Sequence, residues 1–185
     1  MDDTAAGSTP ASPRPRRHLL ALLAAVAGVV LVVDQLTKAL AVEHLDESSS
    51  VPLVGNLLSL RLLFNPGAAF SLATGMTWVL TLVAVGVVVV IVRAARRLGS
   101  RTWAVSLGLL LGGALGNLVD RLVRPPAFGR GHVVDFIAYG DWFVGNVADI
   151  AIVAAAGLVV LLGLLGIDLD GVRRRPESTQ ETTGA

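Results

Sequence analysis

The sequence predicts an all-α membrane protein: four transmembrane helices, with a small extended or β segment and a loop near the outer membrane face. Three observations carry this expectation. Of 185 residues, 54% are apolar and only 16% charged, too few charges to cover the surface of a soluble domain of this size. The apolar residues arrive in blocks of about 20, long enough as helices to cross roughly 30 Å of hydrocarbon. The positive charges are also unevenly placed, with ten of the 15 Lys and Arg residues before the first block, between the second and third, or after the fourth.

The spans are expected at Leu19 to Val42, Phe70 to Val92, Thr102 to Val119 and Val144 to Ile167. They define one membrane domain over residues 19–167. Residues 1–18 are rich in Ser, Thr, Pro and Ala without apolar periodicity and read as a disordered tail; residues 168–185 read as a second tail of similar composition. Basic residues favour the cytoplasmic side. Arg14, Arg16 and Arg17, then Arg93, Arg96, Arg97 and Arg101, then Arg173, Arg174 and Arg175 therefore put both termini in the cytoplasm. The segments near 43–69 and 120–143 then face outward. A cleaved signal peptide is the competing reading of the first block, because three arginines, an apolar core and Ala39-Leu40-Ala41 imitate its three regions. Asp34 and Lys38 are out of place in a passive leader.

The absence of cysteine excludes a disulfide, a thiolate nucleophile and a Cys-ligated metal. His18, His44 and His132 lack metal-site spacing and no HExxH occurs, which disfavours metalloprotease chemistry. Trp78, Trp103 and Trp142 fall near span boundaries and read as interface anchors.

A charge near the bilayer centre costs at least about 2.5–3.5 kcal/mol, so each one inside a span needs a partner or a purpose. Asp34 and Lys38, in VVDQLTKAL, lie at i and i+4 on one helical face and can pair. Spacing alone leaves a structural pair and a functional one equally open. In LLFNPGAAFS, Asn65-Pro66-Gly67 is a turn signature at the mouth of the second span. The preceding LLSLRLLFN can be helix or strand.

In GLLLGGALGNLVDRL, Gly108, Gly112 and Gly116 recur every four residues, the spacing of a smooth helix-packing face. Packing does not explain Asn117, Asp120 and Arg121, which share a face at the helix end and can brace one another or bind a polar chain. Asn146 and Asp149 stand three apart at the start of the last span, and GHVVDF places Asp135 on an apolar segment dipping toward the interface.

Two aspartates at one level, Asp135 and Asp149, suggest carboxylates that share a proton and activate water. On spacing alone, structural and transport roles remain alternatives. DQLTK, FNPGAAFS, GGALGNLVDRL, GHVVDF and GNVADIAI, in this order and interleaved with four spans, closely resemble the lipoprotein signal peptidase family, also called signal peptidase II. The resemblance covers roughly residues 19–167, and five ordered motifs make it specific.

It implies that Asp135 and Asp149 are a catalytic dyad. It further implies that Asp34, Lys38, Asn65, Gly67, Asn117, Asp120, Arg121, Asn146 and Ala148 support the site or hold substrate. The implied reaction is aspartyl endopeptidase cleavage of diacylglyceryl prolipoproteins just before the lipidated cysteine, at the outer face of the bacterial cell membrane. The implied partners are that substrate and membrane lipid, with no metal or organic cofactor, no nucleic acid, and a monomeric enzyme. Small residues such as Gly67, Ala68 and Ala69 suit close approach of a substrate backbone.

Two departures from the family pattern stand out: the longer, more basic stretch VRPPAFGRG after Arg121, and Gly145 where an aromatic residue is usual. A serine–lysine peptidase built on Ser71 and Lys38, and a small transporter or proton pathway built on the buried Asp and Lys, are the competing functional readings.

Overall fold

A computed structural model describes residues 16–67 and 77–173. In chain order the elements are α1 (Arg16–His44), β1 (Val51–Val54), β2 (Leu58–Asn65), α2 (Thr77–Ala94), α3 (Arg101–Val123), β3 (Val133–Tyr139), β4 (Phe143–Gly145) and α4 (Val147–Leu164), with a 3-10 turn (Ala95–Arg97) closing α2. All four helices are long and apolar enough to cross a membrane.

Three boundaries differ from expectation. α1 begins at Arg16, so Arg16, Arg17 and His18 belong to the helix and not to the N-terminal tail; arginine is a good helix former and prolongs the apolar block at little cost. α3 runs through Val123, a turn beyond Val119, and therefore carries Asp120 and Arg121. It stops because Pro125 disfavours helical geometry at the residue before it, and Arg124 is extended (φ −86°, ψ 159°). α4 begins at Val147, three residues later than expected, because Val144 and Gly145 pair with β3 as strand β4. The expected start of the second span, together with Ala68, Ala69 and Ser71, lies outside the described residues.

α3 is the hub of the bundle and packs against α1, α2 and α4. The glycine stripe explains how closely. A methyl group at Gly108 would lie 2.8 Å from Val26 Cβ, and one at Gly112 would lie 2.7 Å from the Ala27 carbonyl. Gly113, on the neighbouring face, admits the Ala148 carbonyl of α4 in the same way. Backbones approach this closely in membranes where small residues remove the side-chain spacer. The arginine-bearing end is closed by an apolar core of Leu23, Ile91, Ala95, Leu98, Ala104 and Leu107. There Trp103 anchors α3 by donating its indole N–H to the Ile167 carbonyl at 3.0 Å.

At the opposite end the chain forms a four-stranded antiparallel sheet in the order β1-β2-β3-β4. LLSLRLLFN thus resolves as strand, and GHVVDF as the start of β3. Leu62, Val134 and Phe136 of the sheet pack on Ala41 of α1 in a second core. A register shift in β2 between Leu60 and Leu63 sets Leu63 opposite Asp135 and Asn65 opposite Val133, the local re-aiming that a bulge provides.

The basic stretch after Arg121 is pinned rather than loose. Gly131 N–H donates to the Arg121 carbonyl at 2.9 Å, His132 N–H to Pro125 at 3.0 Å, and the Thr81 hydroxyl of α2 to the Gly129 carbonyl at 2.8 Å.

Candidate active site

The buried ionisable side chains gather where the sheet meets the bundle. Asp34, Lys38 and Asp120 are completely buried and Asp135 is 2% exposed. The apolar core at the arginine-bearing end contains no counterpart among the described residues.

Lys38 is the centre of the inner layer. Its Nζ lies 2.9 Å from Asp34 Oδ2, 2.8 Å from Asp120 Oδ2, and 3.0 Å from Asn117 Oδ1, to which it donates. An ammonium has three donors, and all three are engaged. The i,i+4 pair expected within α1 therefore exists, and α3 extends it. Arg124 adds a second cation, with Nε 2.7 Å from Asp120 Oδ1.

Asp34 and Asp120 also hold other elements in place. Asp34 Oδ1 accepts the Ala148 N–H of α4 at 2.9 Å, and Asp120 Oδ2 accepts the Val134 N–H of β3 at 3.2 Å. The first N–H groups of a helix lack intrahelical partners and favour negative charge, so Asp34 serves α4 as an acceptor from another helix. Gly116 makes room for it, since a methyl group there would stand 2.5 Å from Asp34 Oδ2.

The outer layer holds the two aspartates of interest. Asp135, on β3, accepts from Asn146 Nδ2 at 2.6 Å and from Asn65 Nδ2 at 2.8 Å. Asp149, in the first turn of α4, accepts from Asn117 Nδ2 at 2.9 Å and from the Asn146 main-chain N–H at 3.0 Å. Asn146 thus contacts both. It is also the N-cap of α4, accepting the Asp149 N–H at 3.0 Å in a reciprocal capping box.

Asn65 Oδ1 accepts the Gly67 N–H at 2.8 Å, so the Asn-Pro-Gly turn fixes the amide that faces Asp135; Gly67 needs its glycine, with φ at 108°. Arg121 donates to the Asn117 carbonyl at 3.1 Å, while its Nε is buried with no partner among the described residues.

Burial pushes the Asp135 carboxyl up to about 6. The Asn65 hydrogen bond opposes this, the Asp149 charge adds to it, and the Asn146 hydrogen bond and Lys38 oppose it. Asp149 is only half-buried and lines a recess of about 470 Å³ with Tyr139, Phe143, Asn146, Ile150 and Val153. The recess opens along the exposed flank of α4, where Ile150 is 48% and Val153 71% exposed. Gly145 forms part of its wall, with the Phe143 ring folded over it and stacked on Tyr139 at a centroid distance of 6.2 Å.

All eleven residues singled out from the sequence lie in or beside this network. Ala148 contributes its main-chain N–H and a side chain small enough to sit against Gly116. Sequence reasoning passed over Gln35, whose amide donates to Asp34 Oδ2 (3.1 Å), the Gly116 carbonyl (3.1 Å) and Asp120 Oδ1 (3.4 Å). The cost argument that flagged Asp34 and Lys38 applies to any polar group in a span and would have found it. Arg124 was noticed only as part of a basic loop. A serine–lysine arrangement has no free lysine to use, since Lys38 is fully engaged, and Ser71 lies outside the described residues.

Comparison with known proteins agrees with this architecture. A bacterial membrane enzyme solved at 2.3 Å resolution superposes with a TM-score of 0.69 at 24% identity, over 78% of this chain and 88% of that one. The lipoprotein signal peptidase of Rhodococcus jostii is 56% identical over 95% of this chain and 88% of its own length. That of Mycobacterium avium is 52% identical over 97% of this chain and 98% of its own length. Residues 26–165 match the description of signal peptidase (SPase) II, and the chain belongs to the signal peptidase II family.

Proposed function

We propose that this chain is an aspartic endopeptidase that removes signal peptides from diacylglyceryl-modified prolipoproteins by cleaving before the lipidated cysteine. Membership of the signal peptidase II family and the naming of its relatives as lipoprotein signal peptidases support the substrate class. The observation that carries the catalytic type is the convergence of Asp135 and Asp149 on the single residue Asn146.

The two carboxyl groups have unlike surroundings, which suits them to opposite roles. Asp135, buried and raised to about 6, holds a proton more readily than an ordinary carboxyl group. Asp149 lines the open recess, where substrate and water can reach it.

In the proposed reaction Asp149 takes a proton from water as its oxygen attacks the scissile carbonyl carbon, and Asp135 gives its proton to the carbonyl oxygen. On collapse the proton on Asp149 passes to the departing amide nitrogen and the C–N bond breaks. Asp135 recovers its proton from the hydroxyl that becomes the new carboxyl group. The Arg121 Nε–H, which has no partner among the described residues, is a donor for a substrate carbonyl. Lys38, Asp34, Asp120 and Gln35 act at one remove, holding α1, α3, α4 and β3 in register.

The recess suits a lipidated substrate, because it is polar at Asp149 and Asn146 and apolar along Ile150 and Val153. A substrate can enter sideways, its acyl chains in hydrocarbon and its scissile bond at the sheet end. With both termini in the cytoplasm, as the arginines favour, that end faces outward. Cleavage of a diacylated prolipoprotein by the wild type, Asp135→Asn and Asp149→Asn tests the reading. Each variant should insert and fold yet lose turnover by a factor of about 10³ or more. Near-normal turnover by either folded variant would refute the dyad.

A further inference from the structure

The bundle has a second concavity, at the end remote from the aspartates. It is a cleft of about 500 Å³ between α1 and α2, walled by Leu20 and Leu23 on one side and Ile91 and Val92 on the other, with Leu111 of α3 beneath. It exists because α1 and α2 both pack on α3 and make little contact with each other. Arg96 borders the cleft and is the only polar side chain lining it among the described residues. Arg17 precedes Leu20 by three residues on the same helix, and so sits above the same wall. Both arginines are exposed, and among the described residues neither has a carboxylate within ion-pair distance.

We propose that this cleft binds one anionic glycerophospholipid, with an acyl chain between α1 and α2 and its phosphate between Arg17 and Arg96. The walls fit a hydrocarbon chain, because a void left there would forfeit the dispersion contacts that close packing provides. The rim fits phosphate, because guanidinium groups bind it through paired, charge-assisted hydrogen bonds. A net negative headgroup is selected over a zwitterionic one, whose ammonium group would be brought beside two uncompensated cations. Basic pockets between membrane helices provide such sites in general. The site is separate from the aspartate network and does not depend on the proposed reaction.

Trp103 reports on the cleft, since it packs against the core cluster that contains Leu23 and Ile91. The full chain carrying Trp78→Phe and Trp142→Phe, reconstituted in phosphatidylcholine vesicles, leaves Trp103 as the sole tryptophan, excited selectively over Tyr139. It is titrated with phosphatidylglycerol or phosphatidylcholine brominated on the acyl chain. Quenching should saturate at a lower mole fraction of phosphatidylglycerol, by roughly fivefold for each arginine engaged. Arg17→Gln/Arg96→Gln should abolish that preference while leaving quenching by phosphatidylcholine unchanged. Arg93→Gln, at the same end but outside the cleft lining, should keep it. Equal quenching by the two lipids, or no quenching by either because protein fills the cleft, would overturn the site. A loss of preference in Arg93→Gln matching that of the double variant would overturn it in favour of diffuse surface attraction.

Discussion

The side-chain amide of Asn146 donates to Asp135 at 2.6 Å, while the main-chain N–H of the same residue donates to Asp149 at 3.0 Å. One residue therefore sets the relation between a strand carboxyl and a helix carboxyl. Asn146→Ala removes the Asp135 donor and the cap of α4 together. The lost cap should cost about 1 kcal/mol of stability. Loss of a hydrogen bond that opposes the upward shift of Asp135 should move its titration higher still. Cleavage should fall by roughly a hundredfold, with the pH profile displaced to the alkaline side, a displacement that simple loosening of the helix would not produce.

Asp135 makes stability depend on pH in a defined sense. Its carboxyl titrates at about 6 in the fold, against 3.8 ordinarily, so between these values the native state binds more protons than the unfolded one. Stability should therefore fall as pH rises through that window, by about 3 kcal/mol in all. Asp135→Asn, which stays neutral, should be more heat-resistant than wild type at pH 7.5, with the difference vanishing near pH 4. If Asp135 is the acid, kcat/KM should also decline as pH rises past about 6. A melting-temperature difference that does not change with pH would contradict the linkage.

Lys38 neutralises two buried carboxylates at once. Lys38→Met should destabilise the protein by about 3–5 kcal/mol, because removing one partner of a buried ion pair strands the other. Arg124→Met should cost less, as Arg124 is 22% exposed and its loss leaves Lys38 in place. Thermal unfolding in detergent, following both variants side by side, measures the difference.

Gly145 holds open the wall beside Asp149. A methyl group there would lie 2.6 Å from Phe143 Cε1 and 3.0 Å from Asp149 Oδ2, closer than side chains approach without displacement. Gly145→Ala should reduce kcat/KM about tenfold, equivalent to about 1.4 kcal/mol. Adding Phe143→Ala should recover most of the loss by removing the colliding ring. Failure of the second substitution to rescue would place the damage at Asp149 alone.

The sequence made the bundle legible because the apolar blocks and arginines follow directly from the cost of burying polarity in lipid. The same cost singled out Asp34 and Lys38, and it would have singled out Gln35 had it been applied to uncharged polar groups. The sheet was only partly legible. LLSLRLLFN is apolar on both sides except for Arg61, a pattern that helix and strand can share, and only pairing with β3 decides it. Val144 was assigned to the last span for a similar reason, since an apolar residue before an N-cap looks like helix until a strand claims it. Asp135 and Asp149 could be named from the motifs, yet their meeting at Asn146 depends on how β3, β4 and α4 turn back on one another. Spacing along the chain does not contain that geometry.

The ion cluster around Lys38 bears on how the protein enters the membrane. α1 brings Asp34 with Lys38, and α3 brings Asp120 with Arg124, each an i,i+4 pair within its own helix. Each segment therefore reaches the bilayer with its counter-ion already aboard, and the link between Lys38 and Asp120 forms when the helices dock. Separating the partners at constant composition should show this: Leu36→Lys/Lys38→Leu keeps both charges in the first segment but sets them at i and i+2, on different faces, so that each meets a penalty of up to about 2.5–3.5 kcal/mol near the bilayer centre without its counter-ion. Translocon-mediated insertion of that isolated segment should drop, and unchanged insertion would argue that the pairing acts only after assembly.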